Sequence, residues 1–455
     1  MRIERDRINI RNNFHKMISY GKNIIGSSLG RKVIKGGFWV TIGKASTTIT
    51  GLISSAIITR VMQPESVGTY YIAISIITTA ALIAEMGLGR TTIRLIGEAK
   101  GLNEISKIKS TIYTSLVLIF IGIAVVTIIY LLTGKTISIL FFKSLELRSI
   151  TTLTSISIIP TALGSLLSEA YRGLQDFQSS ETFEGILKGI LISLGLGIIL
   201  LIRKSATIEE VMLIFIISSG VNAAFALIFI NRRLPTSAMN NQTFLFRDLI
   251  LISLPVFLTE MALFLSSQSF LWVLGFFRSS EEVAVFSIVV KLAALISTPT
   301  LLYKQVIAPF IAELFFQGRI QELEKLIRPI TTISFSVALF LGLIVFLKGR
   351  DLLSLVYGNF YAGGHFALSL IVIGQLISIG TGPCGQLMIM TGNQKKLLQI
   401  SLLSGITSVI VSIFFVEKFG YVGAAIGLLT YMAMNNLITT YEGFRKIGVK
   451  SWIGY

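Results

Sequence analysis

One cysteine, two histidines and twenty-three acidic residues are all that this 455-residue chain offers of the groups that most often do chemistry. A lone Cys384 excludes an intramolecular disulfide, and its apolar surroundings make it a buried spectator thiol. His15 lies in an N-terminal tail and His365 in a loop, so no histidine cluster stands ready for a metal or a catalytic triad, and both read as solvated. Charge is scarce as well: 14% of residues carry it, against about a quarter in a soluble domain. With 53% hydrophobic residues and a mean hydropathy of +0.78, the chain cannot clothe itself in polar surface. Nucleotide chemistry has no foothold either. Gly43-Lys44-Ala45 lacks the upstream glycine and the following Ser or Thr of a phosphate loop. Gly26-Ser27-Ser28-Leu29-Gly30 spells a hydrolase nucleophile elbow without the strand that must precede one.

What the chain has in abundance is apolar runs of about twenty residues, the length that crosses a bilayer as a helix. They cover 34–59, 67–89, 108–133, 150–171, 183–202, 211–230, 249–277, 283–308, 330–347, 366–390, 397–416 and 421–441. The runs are unbroken rather than alternating, and lipid offers backbone groups no partner outside their own segment, so helices are predicted and strands are not. The expected fold class is an all-α polytopic membrane protein: about twelve transmembrane helices in two six-helix bundles around a central cavity.

The net charge of +17 is no mark of a nucleic-acid partner, because the forty Lys and Arg are sorted by side. Twenty-six fall in the N-terminal tail and in connections on its side, ten on the other side, and Lys44, Lys188, Lys291 and Lys304 within apolar runs. That asymmetry predicts an inner-membrane protein with an even number of spans and both termini in the cytoplasm. The tail has no apolar core for a signal peptide, so it is expected to stay uncleaved at the anionic inner leaflet, in contact with membrane lipids.

The segment 231–247 is polar and reads as a linker. Predicted boundaries are a basic tail at 1–33, a first bundle at 34–232, the linker at 233–247 and a second bundle at 248–455. A repeat supports the division: Pro64-Glu65-Ser66-Val67-Gly68-Thr69-Tyr70 parallels Ser280-Glu281-Glu282-Val283-Ala284-Val285-Phe286 at an offset of 216, each copy opening the second helix of its half. Six spans per copy give both halves one orientation, related by an axis along the membrane normal.

Ionisable groups inside the spans cost several kcal/mol against lipid and should face protein or water. Lys44 lies roughly 15 Å into the first span. Glu260 sits near the middle of the seventh and is its repeat-mate, so opposite charges are expected to face one another across a cavity between the bundles. The pair reads either as a transport site or as a static ion pair that sets helix packing. Lys291 has Ser75 as its counterpart and adds uncompensated positive charge, which suits an anionic substrate. Glu85, Arg90 and Arg94 at the inner end of the second span, with Glu169 and Arg172 at that of the fourth, read as snorkelling side chains or as gate or head-group contacts. Pro160, Pro255, Pro299 and Pro383 interrupt spans and bend them. Gly185 and Gly189 form a small-xxx-small pair suited to helix packing.

Gly36-Gly37-Phe38-Trp39, the run from Arg60 to Tyr70, and Glu85-Met86-Gly87-Leu88-Gly89 resemble the polysaccharide flippases that export O-antigen and similar units. In the second half Met390-Thr391-Gly392-Asn393-Gln394-Lys395-Lys396 and Phe419-Gly420-Tyr421-Val422-Gly423-Ala424-Ala425 are similar to the same family. The resemblance implies a member of the multidrug, oligosaccharidyl-lipid and polysaccharide exporter superfamily, a carrier rather than an enzyme. It implies an undecaprenyl-pyrophosphate-linked oligosaccharide as cargo, no cofactor, drive from a proton or sodium gradient, and polymerase and chain-length proteins of the same pathway as partners. A multidrug exporter of the superfamily is the alternative within the class. A membrane-embedded polymerase or glycosyltransferase is the alternative outside it, and would be expected to show a larger outer loop or clustered acids.

Overall fold

The computed structural model describes residues 28–102, 104–233 and 246–454. Most of the predicted tail and linker, with His15, lies outside the described residues, as does the side chain of Lys304.

The first half contains α1 (Ser28–Val61), α2 (Pro64–Glu85), α3 (Leu88–Gly101), α4 (Ile105–Leu140), α5 (Leu145–Ser149), α6 (Thr151–Gly173), α7 (Phe177–Glu181), a π-turn (Thr182–Ile186), α8 (Leu187–Ile202) and α9 (Ile208–Arg233). The second contains α10 (Phe246–Phe277), α11 (Ser280–Phe316), α12 (Ile320–Tyr357), a 3-10 turn (Asn359–Gly364), α13 (His365–Gly380), α14 (Cys384–Met390), α15 (Gln394–Phe419) and α16 (Tyr421–Ile447). Nine described helical stretches are long and apolar enough to cross a membrane, and α10, bent by 51° between Leu265 and Ser267, makes a tenth. α1 and α11, 34 and 37 residues long, run beside them and complete two six-helix bundles. Large apolar side chains such as Leu132, Leu201 and Leu347 stand exposed on the outside, where only lipid can cover them. The chain is a multi-pass membrane protein of the expected fold class.

The repeat extends to every span. α2 and α11 start 216 residues apart, at Pro64 and Ser280, and the residues before them share one extended backbone, φ −68° and ψ 149° at Gln63 against φ −69° and ψ 158° at Ser279. α4 (Ile105–Leu140) and α12 (Ile320–Tyr357) match at offsets of 215 and 217, and α7 with α8 matches α15. The halves differ in where they break. α2 and α3 together correspond to the uninterrupted α11, because Met86 and Gly87 both take left-handed backbone, at φ 49° and 73°. Conversely α6 is continuous where its counterpart splits into α13 and α14 at Pro383.

The two ends of the molecule are packed differently. At the far end from the described termini, one hydrophobic core runs through both halves, joining Ile58, Val67, Tyr70 and Tyr71 to Val283, Phe286, Leu353 and Tyr357. α2 meets α11 there so closely that a Cβ on Gly68 would lie 1.6 Å from the Ser280 carbonyl oxygen. Trp272 Nε1 donates to Ser75 Oγ at 2.9 Å, and Arg60 to the Leu355 carbonyl at 2.9 Å, across the same seam. At the near end the cores part: one around Leu95, Ile112 and Leu167 in the first half, another around Ile311, Leu323 and Met388 in the second. The halves form a V closed at the far end.

Gly185 and Gly189 pack as their spacing predicts, against Thr47 and Thr50 of α1. Cys384 is buried, as expected. His365 is not simply solvated: it opens α13 half-buried, its Nε2 3.2 Å from the Phe346 carbonyl, because the loop before it folds back as a 3-10 turn. α13 stops at Gly380, and the C-terminal segment answers the carbonyls left open at that end. Ser451 Oγ donates to Thr381 O at 2.8 Å and Ile453 N to Gly380 O at 2.9 Å, while Thr331 Oγ1 donates to Ser451 O at 3.2 Å. Ser451→Ala should lower stability by about 1 kcal/mol. Thermal unfolding of the variant against the wild type in detergent checks this.

Candidate functional site

Charge collects where the V opens. Lys44 is carried there by α1, whose Gly43 lets Glu181 come up against the helix: a Cβ on Gly43 would lie 2.3 Å from Glu181 Oε2. The π-turn inserts one residue into the helix that continues as α8 and turns Glu184 inward. Lys44 Nζ bonds Glu184 Oε1 at 2.5 Å, and Arg172 of α6 bonds Glu184 Oε2 at 2.5 Å. Arg172 also reaches Glu169 at 2.8 Å and Glu181 at 3.1 Å, so one guanidinium organises three carboxylates. Beside them Glu85, buried at the end of α2, accepts from Ser165 Oγ at 2.9 Å. Arg90 of α3 pairs with Glu260 of α10.

The expected meeting of Lys44 with Glu260 does not occur. Repeat-mates hold equivalent places in their own bundles, and each takes the partner its neighbours supply. For Lys44 that is the π-turn; for Glu260 it is α3, because the near half of α10 leans on the first bundle, with the Ser253 carbonyl and Phe257 against Gly87. Nor is the cluster mainly cationic. Lys44, Arg90 and Arg172 face Glu85, Glu169, Glu181, Glu184 and Glu260. Of the residues singled out in the sequence, Lys44, Glu85, Arg90, Glu169, Arg172 and Glu260 are thus brought together. Arg94 stands exposed one turn beyond Arg90. Lys291 lies apart, toward the closed end, its Nζ 4.8 Å from the centre of the Tyr71 ring of the other half. It has no carboxylate partner among the described residues.

Glu181 and Glu184 were not legible as site residues, since they straddle the very start of the apolar run 183–202 and look like its polar flank. The available signal was their i, i+3 spacing opposite Arg172. Lys188 turns into the first bundle. With Thr161, Ser165, Glu184, Ser219 and Asn222 it lines a cavity of about 130 Å³, its Nζ 4.2 Å from the centre of the Phe215 ring. At the far end a larger depression of about 820 Å³ lies on the seam, lined by Glu65 and Ser66 of one repeat copy and Ser280 and Glu282 of the other. Inner charges between two bundles, closed at one end only, suit a polar or charged cargo.

Residues 33–315 match a family described as polysaccharide biosynthesis protein, more than half of the chain. The chain belongs to that family. It is also 23% identical over 398 residues to the capsular polysaccharide biosynthesis protein CapF of Staphylococcus aureus, covering 86% of this chain and 94% of that one. Among solved structures, it is similar to an inward-facing multidrug resistance MATE transporter of the MOP superfamily, with a TM-score of 0.72 at 15% identity over 90% of this chain and 98% of that one. The inward-closed lipid II flippase MurJ gives a TM-score of 0.67 at 15% identity, over 88% and 86%. These likenesses fix the fold, and the family places the chain in polysaccharide biosynthesis.

Glu184 is the keystone of the cluster, since its loss leaves Lys44 and strips Arg172 of its shortest contact. Glu184→Gln should cost on the order of 1 kcal/mol, a modest figure because these side chains are partly exposed. Glu169→Gln should cost less, since Arg172 keeps two other carboxylates. Thermal unfolding of the two variants in detergent checks the order.

Proposed function

We propose that this protein is a flippase carrying an undecaprenyl-pyrophosphate-linked oligosaccharide from the cytoplasmic to the outer leaflet by alternating access. The observation that carries the proposal is the packing: one core through both halves at the far end, two separate cores at the near end, and a cluster of paired, partly exposed charges toward that near end. Such a molecule has two discrete ways to close, and a site between the bundles can be opened to either side in turn. The excess of Lys and Arg on the side of the termini supports a cytoplasmic near end, so the form described here opens inward. Family membership and the likeness to the capsular polysaccharide biosynthesis protein CapF support a polysaccharide precursor as cargo.

In this reading the lipid tail stays outside while the diphosphate and sugars pass between the bundles. Lys291, with no carboxylate to neutralise it, receives the diphosphate at the closed apex. Lys44 and Glu260 line the path, Lys44 held by Glu184 within its own bundle and Glu260 by Arg90 across the halves. No nucleotide loop is present in the sequence, so an ion gradient drives the cycle, and the carboxylates around Arg172 are the groups that a proton or sodium ion would address. The protein acts as a carrier, alongside the polymerase and chain-length proteins that use its product.

Proteoliposomes loaded with a lectin-readable undecaprenyl-diphosphate oligosaccharide test this. The wild type should expose the sugar on the opposite face under an imposed proton or sodium gradient. Lys291→Ala should slow that about tenfold, the loss of one charge-assisted contact worth about 1.5 kcal/mol. Transport of a cationic drug with no movement of the lipid would replace the proposal with the exporter reading. Elongation of the glycan in place of movement would replace it with the polymerase reading.

A further inference from the structure

Arg90 and Arg94 stand four residues apart on α3, which begins directly after the left-handed break at Met86 and Gly87. Leu88, Thr91, Thr92, Leu95, Ile96 and Ala99 bury the opposite face of that helix, so both guanidinium groups project from the exposed face at the open end of the V. The Arg90 side chain is 73% exposed although it is paired, and its partner Glu260 only 21%. Arg90 spends a single group on that bond, its Nε. Arg94 has no carboxylate partner among the described residues.

The position of Glu260 gives this pair its meaning. Among the described residues Arg90 to Glu260 is the one ion pair that joins the first half to the second. Leu249, on the near half of α10, belongs to the core of the first bundle. Beyond the 51° bend, Phe270 of the same helix packs on Gly427 and Tyr431 of the second bundle. α10 is therefore the strut across the open end, and the ion pair of Arg90 with Glu260 adds to the packing that seats this helix on the first bundle.

We propose that Arg90 and Arg94 form a loading subsite for the diphosphate of the lipid cargo, and that the diphosphate takes Arg90 from Glu260 and so releases the near half of α10. The inference rests on the flippase reading and deepens it. A carboxylate brings one charge and meets one guanidinium; a diphosphate brings at least two, with oxygens spaced to engage two planar donors side by side. Exposed single ion pairs are weak, so the doubly engaged anion displaces the carboxylate. Loading is thereby tied to the movement that must follow it, because the anion binds better to the unlatched state.

The test uses the full chain in lipid nanodiscs with undecaprenyl diphosphate as probe and undecaprenyl monophosphate as control. Arg90→Gln and Arg94→Gln should each weaken diphosphate binding about tenfold, the size of one lost charge-assisted contact, and narrow its preference over the monophosphate. Glu260→Gln should bind the diphosphate several-fold more tightly, since the competing charge is gone. Hydrogen exchange in the near half of α10 should rise when the diphosphate lipid is added to the wild type, and should already be raised in Arg90→Gln without it. Unchanged or weaker binding in Glu260→Gln overturns the competition, and wild-type binding in Arg94→Gln overturns the subsite while leaving the flippase reading intact. If the wild type takes no diphosphate lipid at all, both fall.

Discussion

Everything in this molecule turns on the contact of two helix starts, α2 and α11, at Gly68 and Ser280. The contact admits no side chain: a Cβ at Gly68 would fall on the Ser280 carbonyl. Because the two helices open equivalent copies of one repeat, their meeting brings the halves together about the repeat axis, and the apolar residues that follow fuse into one core. At the other end the apolar residues of the two bundles gather into separate cores.

Charge collects toward that end. Lipid would penalise Lys44, Arg172 and their carboxylates heavily, and in this structure they are mutually paired and only partly exposed. Pairing is almost entirely within the first half, through the π-turn and α6, so these ion pairs hold one bundle rigid rather than clamping both. Between the halves the structure spends one exposed ion pair and one bent helix at the open end. A strong seam at one end and a weak link at the other is the arrangement the proposed rocking carrier requires.

The amino-acid sequence announced the spans and the repeat, because lipid imposes a length and composition that no soluble element shares and because a seven-residue motif at Pro64 and Ser280 carried the offset that every span obeys. It located Lys44 and Glu260 because charge inside an apolar run stands out, and Arg90 and Arg172 as charges at the inner ends of such runs. Partners were another matter. Repeat arithmetic yields equivalence, not adjacency, so Lys44 and Glu260 were matched with each other when each had a nearer neighbour. Glu184 was hidden because its inward turn depends on one inserted residue, and the break at Met86 and Gly87 because the apolar run reads straight through it. The charge balance went wrong with them: the expected positive excess came from Lys291, which lies apart from the cluster, while Glu181 and Glu184 add negative charge to it.

Interspin distances in lipid bilayers test the account most directly. In a Cys384→Ser background, one pair of labels at Gly97 and Lys395 reports the near end, and another at Lys135 and Lys348 the far end; all four positions are exposed. The account predicts two populations for each pair, inversely related: when the near-end distance shortens the far-end distance lengthens, and cargo lipid shifts the balance. A single distance at both ends, unmoved by cargo lipid or ion gradient, would contradict it.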